Sequence, residues 1–380
     1  MSDQRVLLCL CHMSGREMDF INQAFADNWV VPLGPNVTGF ENDLQAFLGE
    51  GNYVAALSAG TAAIHLGLVM LGVKSGDEVI CQSLTFSASA NPIAYLGARP
   101  VFVDSEPDTW NMSPDLLEKA ILDRYKKTGK YPKAIVAVDL YGMPAKWEEI
   151  LEVADEYGIP VLEDAAEALG SIYKGKKCST FGKMGVLSFN GNKMITTSGG
   201  GALVVHSEEE KKRAVFLATQ AREPFPYYQH EEIGFNYRLS NISAGIGRGQ
   251  MTILEEHIAH HKHVHNRYAE AFAEIPGITL HSNPDEDFDA NYWLCNILID
   301  KELTGVTPEE LRLRLDAANI ESRPIWKPMH LQPVFADAPA YIDGTSERIF
   351  DSGLCIPAGP WVGDKEIDRV VAVIRDACRK

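Results

Sequence analysis

The sequence predicts a layered α/β fold, in which a mainly parallel sheet forms a large domain and a smaller α+β domain follows at the C-terminal end. The chain of 380 residues is too long for a single small core. From residue 53 to about residue 205, short apolar strands alternate with amphipathic helices, and this alternation is typical of a parallel sheet covered by helices. Near Ser240 the pattern changes to a long helical stretch that runs through Ile253 and His257 towards Phe272.

Seven segments have the composition of strands in such a sheet. Several of them are apolar throughout, as expected for strands that are covered on both faces. The predicted strands are residues 53–58, 78–82, 100–103, 134–138, 160–163, 185–189 and 202–205.

Residues that favour the start of a helix support the same organisation. Ser113 supplies a capping hydroxyl, Pro114 fits the first helical position, and Asp115 lies near the positive end of the helix dipole. We interpret the helical stretch after Ser240 as the link between the two domains. The predicted large domain therefore spans residues 1–250, and the smaller domain spans residues 251–380.

Composition and charge exclude several classes of protein. Hydrophobic residues at 46% and charged residues at 23% are ordinary globular values. No apolar run approaches the roughly 20 residues that span a bilayer, and the N-terminal apolar stretch is too short for the core of a signal peptide. The net charge of −17 argues against binding to nucleic acid or an anionic membrane. We expect a soluble, cytoplasmic protein whose partners are small molecules.

The seven cysteines are scattered along the chain, and this odd number does not fit a disulfide framework. Cys9, Cys11 and His12 could be read as part of a metal site, but no second group of ligands follows at a suitable spacing. We therefore predict no metal site, and we expect the thiols of Cys9 and Cys11 to be buried in a strand.

The turn around Gly60 is the first of three segments that bear on chemistry. Residues 55–63 have the pattern of an apolar strand, a turn of small residues and the start of a helix. Free backbone N–H groups and the helix dipole make such a turn an anion site, and Gly60 would let a phosphate approach closely. Small residues in this position can equally serve tight packing alone, so both interpretations stay open at this point.

Asp164 belongs to the second segment. It is predicted to lie at the carboxyl end of a buried strand, where open α/β sheets bind their ligands. A carboxylate in this place can pair with a protonated pyridine nitrogen and so keep the ring an electron sink. The alternative is that Asp164 is only the N-cap of the next helix.

Lys193 belongs to the third segment. A predicted strand ends in a polar turn that carries this one lysine, and the glycines at 199–201 open the next strand. An amine near a strand end can be desolvated and can form an imine with an aldehyde cofactor. Most lysines are solvated, but the hydroxyl and amides before Lys193, and the glycines after it that allow close backbone approach, favour the cofactor interpretation.

Together, the three segments resemble the fold-type I pyridoxal-phosphate enzymes, in which a phosphate turn, a strand-end aspartate and a lysine follow in this order. Within that class the sequence resembles the DegT-type (DegT/DnrJ/EryC/StrS) nucleotide-sugar aminotransferases over nearly the whole chain. The segments that carry the resemblance are residues 34–36, 40–41, 58–61, 163–167, 188–193, 234–238 and 326–333.

The resemblance implies that pyridoxal 5′-phosphate is the cofactor and that pyridoxamine phosphate is its form between two half-reactions. It implies that Lys193 is the Schiff-base lysine and that Asp164 pairs with the pyridine nitrogen. The other cofactor-binding residues that it implies are Gly60, Thr61 and Ser188 at the phosphate, Phe86 stacked on the ring, and Asn236. In the family, the asparagine that matches Asn236 reaches the cofactor of the neighbouring subunit. We therefore expect a homodimer with shared active sites.

The resemblance also places Arg238 and His330 near the substrate, with Arg323 and Lys327 as partners for its diphosphate. Such a local basic group is compatible with an acidic chain. Glu167 would face the phenolic oxygen of the cofactor, where many relatives carry glutamine. An ionised glutamate cannot donate a hydrogen bond to a phenolate. Either Glu167 is protonated, or another group serves this oxygen and Glu167 faces the substrate.

The implied reaction is a transamination. L-Glutamate gives its amino group, the freed amine of Lys193 moves a proton between the donor and the cofactor, and a keto sugar linked to a nucleotide receives the amino group. Residues 12–15 and 188–193, with the glycine run, resemble the branch that acts at C4 of UDP-4-keto-6-deoxy-N-acetylhexosamines and leads to bacillosamine-type sugars for polysaccharides. A GDP-linked 4-keto sugar, which gives perosamine, and a dTDP-linked 3- or 4-keto sugar are alternatives.

Two interpretations from other classes stay open. A chain that keeps the fold but acts as a sensor or scaffold would be favoured by loss of the lysine or the aspartate, and both Lys193 and Asp164 are present. A pyridoxal-phosphate lyase or epimerase that acts on amino acids is disfavoured by the resemblance of residues 326–333. Relatives that dehydrate their sugar carry histidine at the lysine position, so Lys193 favours transamination.

Overall fold

The structure is a computed structural model that describes residues 4–378. In this part of the chain, fifteen strands form three sheets and thirteen α-helices surround them. The strands are β1 (Tyr53–Leu57), β2 (Glu78–Gln82), β3 (Arg99–Val103), β4 (Ala134–Val138), β5 (Val161–Asp164), β6 (Ile172–Tyr173), β7 (Lys176–Lys177), β8 (Met184–Ser188), β9 (Gly201–Val205), β10 (Ile278–Leu280), β11 (Phe288–Asp289), β12 (Cys295–Ile299), β13 (Arg323–Pro324), β14 (Ala340–Tyr341) and β15 (Gly353–Ile356). The helices are α1 (Glu17–Ala26), α2 (Pro35–Leu48), α3 (Gly60–Met70), α4 (Ser87–Tyr95), α5 (Pro114–Thr128), α6 (Trp147–Glu156), α7 (Glu208–Ala218), α8 (Asn241–Met251), α9 (Leu254–Phe272), α10 (Lys301–Thr304), α11 (Pro308–Ala317), α12 (Thr345–Ser352) and α13 (Asp364–Ala377). None of the helices between residues 4 and 378 has the length and apolar character that a membrane span requires.

The largest sheet contains eight strands in the order β1-β9-β8-β5-β4-β2-β3-β14. Neighbouring strands in it are parallel, except that β9 runs antiparallel to both β1 and β8. All seven strands predicted between residues 53 and 205 are confirmed, each to within one residue at either end. The prediction of a mainly parallel sheet is confirmed as well.

Alternate residues of the central strands pack on opposite faces of this sheet. In β2, Val79 and Cys81 belong to one hydrophobic cluster with residues of α3, α4 and α7, whereas Ile80 belongs to another with residues of α5 and α6. Because successive side chains of a strand point to opposite faces, a strand with helices on both sides must be apolar at every position. This packing explains the continuous apolar runs in the sequence.

The predicted start of α5 is confirmed. The Leu116 N–H donates to the hydroxyl of Ser113 at 3.3 Å, and Pro114 is the first helical residue. The helix ends at Thr128 and is followed by Gly129, whose φ of 72° lies in the left-handed region that glycine adopts without strain.

The helical stretch predicted after Ser240 is two helices rather than one. Helix α8 ends at Met251 and α9 begins at Leu254, and between them Ile253 has φ −122° and ψ 8°. The Thr252 hydroxyl donates to the carbonyl of Gly249 at 2.6 Å, a bond to the preceding turn that competes with continuation of the helix. Both helices bury apolar residues, so the apolar pattern continues across the break and does not reveal it.

The four-stranded sheet β10-β12-β15-β13 is antiparallel throughout. It packs against α9, α11 and α13 in a hydrophobic cluster of its own. Strand β14, from the same part of the chain, instead joins the large sheet beside β3. The domain boundary between residues 250 and 251 stays a prediction.

Cys9 and Cys11 lie outside the strands and are only half-buried, so the prediction of buried strand thiols at these positions is wrong. The apolar run around them makes a single bridge, between Val6 and Ile320. A run of apolar residues becomes a strand only where a partner strand continues beside it, and the sequence could not show that this partner is missing.

Candidate active site

A cavity of about 360 Å³ opens at the carboxyl ends of β5 and β8, beside the turn between β1 and α3. Seven of the residues predicted for the site line it, namely Gly60, Thr61, Phe86, Asp164, Glu167, Ser188 and Lys193. Ligands of open α/β sheets bind at this end of the strands. A larger groove of about 730 Å³ lies at the amino end of β5, around Asp155, Lys183 and His206, and none of the predicted site residues line it.

The turn between β1 and α3 is tightly packed against β8 and β9. A Cβ at Gly60 would lie 3.1 Å from the Cβ of Ser188, and a Cβ at Gly201 would lie 2.4 Å from the backbone nitrogen of Gly60. The first N–H groups of a helix have no acceptor within it, and the helix dipole adds positive potential there. With the Ser188 hydroxyl beside it, this helix start fits a phosphate group, which favours the anion interpretation over tight packing alone.

Asp164 ends β5 and is 4% exposed. Its Oδ2 accepts a hydrogen bond from Ser89 Oγ at 2.6 Å, and its Oδ1 accepts one from the Ala166 N–H at 3.2 Å. Burial raises the pKa of Asp164, while these two donors and the charge of Lys193 oppose the rise. No helix begins between residues 165 and 171, so the interpretation of Asp164 as a helix N-cap is wrong.

Lys193 lies in the turn after β8, where its N–H donates to the carbonyl of Asn190 at 3.0 Å. Its side chain is 12% exposed, and its Nζ lies 3.9 Å from the ring centre of Trp293. The same Nζ lies 3.3 Å from Oε1 of Glu167. The amine is therefore held in the cavity wall between an aromatic ring and a carboxylate, unlike the solvated amine of a typical surface lysine.

Glu167 is buried beside Lys193, and its second oxygen, Oε2, accepts a hydrogen bond from the Tyr141 N–H at 2.6 Å. Burial raises the pKa of Glu167, and the positive charge of Lys193 opposes this rise most strongly. The charge of the Glu167 carboxyl group therefore depends on whether Lys193 carries a proton.

Aromatic side chains form the outer wall of the cavity. The ring of Phe86 is exposed, and its centre lies 5.3 Å from that of Trp326. The backbone N–H of Trp326 donates to the hydroxyl of Tyr141 at 3.0 Å, and the indole of Trp293 donates to the carbonyl of Asn192 at 2.6 Å. Both tryptophans line the cavity, and sequence reasoning missed them. Trp326 begins a segment that carries the family resemblance, but no local signal distinguishes Trp293.

Asn236 and Arg238 do not line this cavity. They lie with Leu33 and Phe225 at a second cavity of about 520 Å³. Arg238 is held by contacts within the chain, because its Nη1 donates to Oε1 of Glu41 at 2.7 Å and to a backbone carbonyl at 3.0 Å. Within the single chain, the structure does not bring Asn236 and Arg238 to Lys193.

The other residues predicted near the substrate also lie outside the cavity lining. Arg323 is exposed and forms an ion pair with Glu321 at 2.7 Å, and Lys327 is exposed. His330 is held on both sides, with its Nδ1 2.7 Å from Ser83 Oγ and its Nε2 3.2 Å from a carboxylate oxygen of Glu347. Their contacts with substrate stay predictions.

A helix start with small residues, a strand-end carboxylate and a sheltered lysine amine meet in one cavity, and groups of these kinds can hold pyridoxal phosphate in a protein. The class defined by this fold and site is the pyridoxal-phosphate-dependent aminotransferase. The chain belongs to the DegT/DnrJ/EryC1/StrS aminotransferase family, whose profile matches residues 12–375.

Individual relatives match nearly the whole chain. EpsN of Bacillus subtilis (strain 168), named as a pyridoxal phosphate-dependent aminotransferase, is 48% identical over 98% of this chain and 95% of its own. GDP-perosamine synthase of Caulobacter vibrioides is 34% identical over 98% of this chain and 99% of its own. The crystal structure of a DegT DnrJ EryC1 StrS aminotransferase from Brucella abortus has a TM-score of 0.89 at 29% identity and covers 96% of each chain. The predicted fold class, family and cofactor are confirmed.

Proposed function

We propose that this enzyme transfers an amino group from L-glutamate to C4 of a UDP-linked 4-keto-6-deoxy-N-acetylhexosamine. The observation that carries the transamination is the sheltered position of Lys193, whose amine lines the same cavity as Asp164. A nucleotide sugar as acceptor is supported by the similarity to GDP-perosamine synthase. The UDP-linked sugar rests on the resemblance of residues 12–15 and 188–193 to that branch of the family.

Some residues of the cavity serve to bind the cofactor, and Lys193 serves to transfer a proton. When bound, pyridoxal phosphate supplies an electrophilic aldehyde carbon and a ring that accepts electrons. The start of α3 and the hydroxyl of Ser188 would hold the phosphate, and the carboxylate of Asp164 would hold a proton on the pyridine nitrogen. The Nζ of Lys193 takes the proton from the α-carbon of glutamate, and the ring of Trp293 keeps this amine in place.

The charge of Glu167 would depend on the cofactor, because Lys193 would bind it. In the structure, Glu167 and Lys193 form a buried ion pair. If Lys193 were bound to the cofactor and carried no charge, Glu167 would keep one backbone donor, from Tyr141, in a buried environment. Burial would then favour the neutral carboxylic acid, which could donate a hydrogen bond to the phenolic oxygen of the cofactor.

The active form is a dimer in which Asn236 of one subunit completes the site of the other. Asn236 lies at the second cavity, away from Lys193 of its own chain. Large apolar side chains are exposed around this cavity: Leu33 and Phe225 line it, and Trp29 and Val31 shortly precede Leu33 in the chain. Exposed apolar patches of this kind are typical of interfaces, which supports a second subunit over this surface.

A GDP-linked 4-keto sugar is the second candidate acceptor. It is favoured by one observation, the 34% identity to GDP-perosamine synthase along almost the full length of both chains. Both candidates require the same chemistry from Lys193 and differ only in the nucleotide and the sugar substituents.

The visible spectrum of the cofactor-loaded enzyme tests the proposal. L-Glutamate should bleach the band of the bound cofactor, and UDP-4-keto-6-deoxy-N-acetylglucosamine should restore it. Bleaching that is reversed only by a GDP-linked 4-keto sugar would move the assignment to the second candidate. Lys193→Ala should lack the band and the turnover, and Lys183→Ala, which changes a surface lysine paired with Glu210, is the matched control. Transamination retained by Lys193→Ala would refute the role of this lysine.

A further inference from the structure

Two hydroxyl groups form a chain of hydrogen bonds to Asp164 behind the cavity wall. Ser89 Oγ lies 2.6 Å from Asp164 Oδ2, and Thr85 Oγ1 lies 2.7 Å from Ser89 Oγ. Thr85 and Ser89 are each 1% exposed, so bulk water does not compete for either bond. Their neighbours Phe86 and Ala88 line the cavity, which places the two hydroxyls directly behind the surface that faces the cofactor.

The start of α4 explains why these hydroxyls meet. Phe86 has an extended backbone with φ −71° and ψ 145°, and α4 begins at the next residue. The Ser89 N–H donates to the carbonyl of Phe86 at 3.1 Å, which closes the first turn. Thr85 and Ser89 are four residues apart across this turn and face the same side. The segment that presents the ring of Phe86 therefore also fixes the contact to Asp164.

The hydrogen bonds have one direction when Asp164 is an anion. A carboxylate only accepts, so Ser89 must donate to it, and the Ser89 oxygen is then free to accept the proton of Thr85. Hydrogen bonds linked in such a chain strengthen one another in a medium of low dielectric constant. Burial disfavours the anion of Asp164, and the bond from Ser89 is the largest of the effects that oppose it.

We infer that Ser89 and Thr85 are a positioning pair that keeps Asp164 ionised and oriented towards the pyridine nitrogen of the cofactor. The inference rests on the role of Asp164 proposed above and extends it to two residues that do not touch the cofactor. Ser89 supplies the hydrogen bond that offsets the burial of Asp164, and Thr85 fixes its direction. Without this pair the carboxyl group becomes neutral more readily, and the pyridine nitrogen loses the partner that keeps its proton.

The test uses pyridoxal phosphate labelled with ¹⁵N at the ring nitrogen, whose chemical shift reports whether this nitrogen carries a proton. The wild-type enzyme should show a protonated nitrogen. Ser89→Ala should move the shift towards the unprotonated value and slow bleaching by L-glutamate on the order of tenfold. Ser89→Thr, which keeps the hydroxyl, should restore both values. Thr85→Val keeps nearly the same side-chain shape without the hydroxyl. It should change the chemical shift and the bleaching rate in the same direction as Ser89→Ala, but by a smaller amount.

Two further variants separate failure of the inference from failure of the proposed function. Ser87→Ala, in the same turn, is the matched control and should match the wild type. Asp164→Asn should lose the ring-nitrogen proton; if it does not, the proposed role of Asp164 is wrong. If Asp164→Asn loses the proton but Ser89→Ala keeps the wild-type shift, the inference about Ser89 is overturned. Should Ser89→Ala fail to fold, a folded Thr85→Val with an unchanged shift overturns it equally.

Discussion

The two carboxyl groups of the cavity, Asp164 and Glu167, are both buried, but their partners differ. Asp164 accepts hydrogen bonds from a hydroxyl and a backbone N–H, and both favour the anion. Glu167 accepts from one backbone N–H and faces the amine of Lys193. If that amine were bound to the cofactor as proposed, it would no longer be a free ammonium group. At the scale of single residues, we therefore expect an ionised Asp164 beside a neutral Glu167.

Replacement of Glu167 by glutamine tests this difference in charge. Glu167→Gln should keep the glutamate half-reaction within roughly threefold of the wild-type rate, because an amide donates a hydrogen bond as a carboxylic acid does. In Glu167→Ala, which has no donor at this position, the rate of the glutamate half-reaction should fall on the order of tenfold. Because burial raises the pKa of Glu167, the wild-type rate should fall as pH rises through that raised pKa and the carboxyl loses its proton. The glutamine variant should not show this fall.

The measurement is the rate at which glutamate bleaches the cofactor band, recorded between pH 6 and pH 10. Glu210→Gln, which changes a surface carboxylate paired with Lys183, is the matched control. A large loss in Glu167→Gln at neutral pH would show that the reaction needs an ionisable group at this position, and the neutral assignment would be abandoned.

Strands β4 and β5 bring two more carboxyl groups together on the far side of Asp164. Asp139 follows β4 and Glu163 lies in β5, and ligand atoms of these two residues and of Cys178 all lie within 4.8 Å of one another. Burial raises the pKa of Glu163 to about 7, and burial and the charge of Glu163 raise that of Asp139. Asp139 Oδ1 accepts from Ala145 and Trp147, but its Oδ2 has no partner. At neutral pH the pair is expected to share one proton.

Because of the Asp139–Glu163 pair, the free energy of unfolding should fall as pH rises. The folded state binds protons on this pair more tightly than the unfolded chain does, so the stabilisation is complete below the ordinary pKa values of the two carboxyl groups. It is lost as pH rises, for Glu163 through about 7 and for Asp139 through its own raised pKa. Asp139→Asn places an amide donor opposite Glu163 and removes the need for a proton. It should raise the free energy of unfolding at pH 8 by on the order of 2 to 3 kcal/mol and leave it nearly unchanged at pH 4.5.

Denaturant unfolding at the two pH values measures this effect. Asp155→Asn, which changes an exposed aspartate on α6, is the control for the loss of one negative charge. Equal effects of Asp139→Asn at both pH values would mean that the carboxyl pair does not bind a shared proton.

The contact between the β1–α3 turn and the start of β9 allows a second test at the scale of elements. A Cβ at Gly201 would lie 2.4 Å from the backbone of the turn, whereas a Cβ at Gly191 would meet nothing within 4 Å. Gly201→Ala should therefore displace the turn, weaken cofactor binding at least tenfold, and destabilise the protein by about 1 to 3 kcal/mol. Cofactor titration compares it with Gly191→Ala, which should bind normally. Unchanged cofactor binding by Gly201→Ala would show that the β1–α3 turn does not bind the phosphate.

At the scale of the whole molecule, mixing two inactive subunits tests whether the sites are shared. Lys193→Ala and Asn236→Ala subunits should each be inactive alone. In a mixed dimer, one site combines an intact Lys193 with an intact Asn236 from the other chain. Unfolding and refolding the two variants together should therefore restore roughly a quarter of the wild-type activity. If Asn236 served its own subunit, every site would carry a defect and activity would stay absent.

The sequence by itself determined the strands of the large sheet, the start of α5 and seven of the residues that line the cavity. The strands could be predicted because helices cover both faces, which demands apolar residues at every position. The capping group Ser113 acts on its own helix start. Gly60, Asp164 and Lys193 could be found because each follows or ends a strand that was visible in the sequence, and parallel strands bring such ends to one edge.

The tertiary structure alone decided features that depend on contacts between distant segments. Strand β9 runs antiparallel to its neighbours, although its apolar composition is the same for either direction. The break between α8 and α9 is absent from the apolar pattern because both helices bury a face. Trp293 faces Lys193, and Ser89 holds Asp164, only because the chain folds back across many residues. Such contacts leave no local pattern, since the physical reason for them is long-range packing.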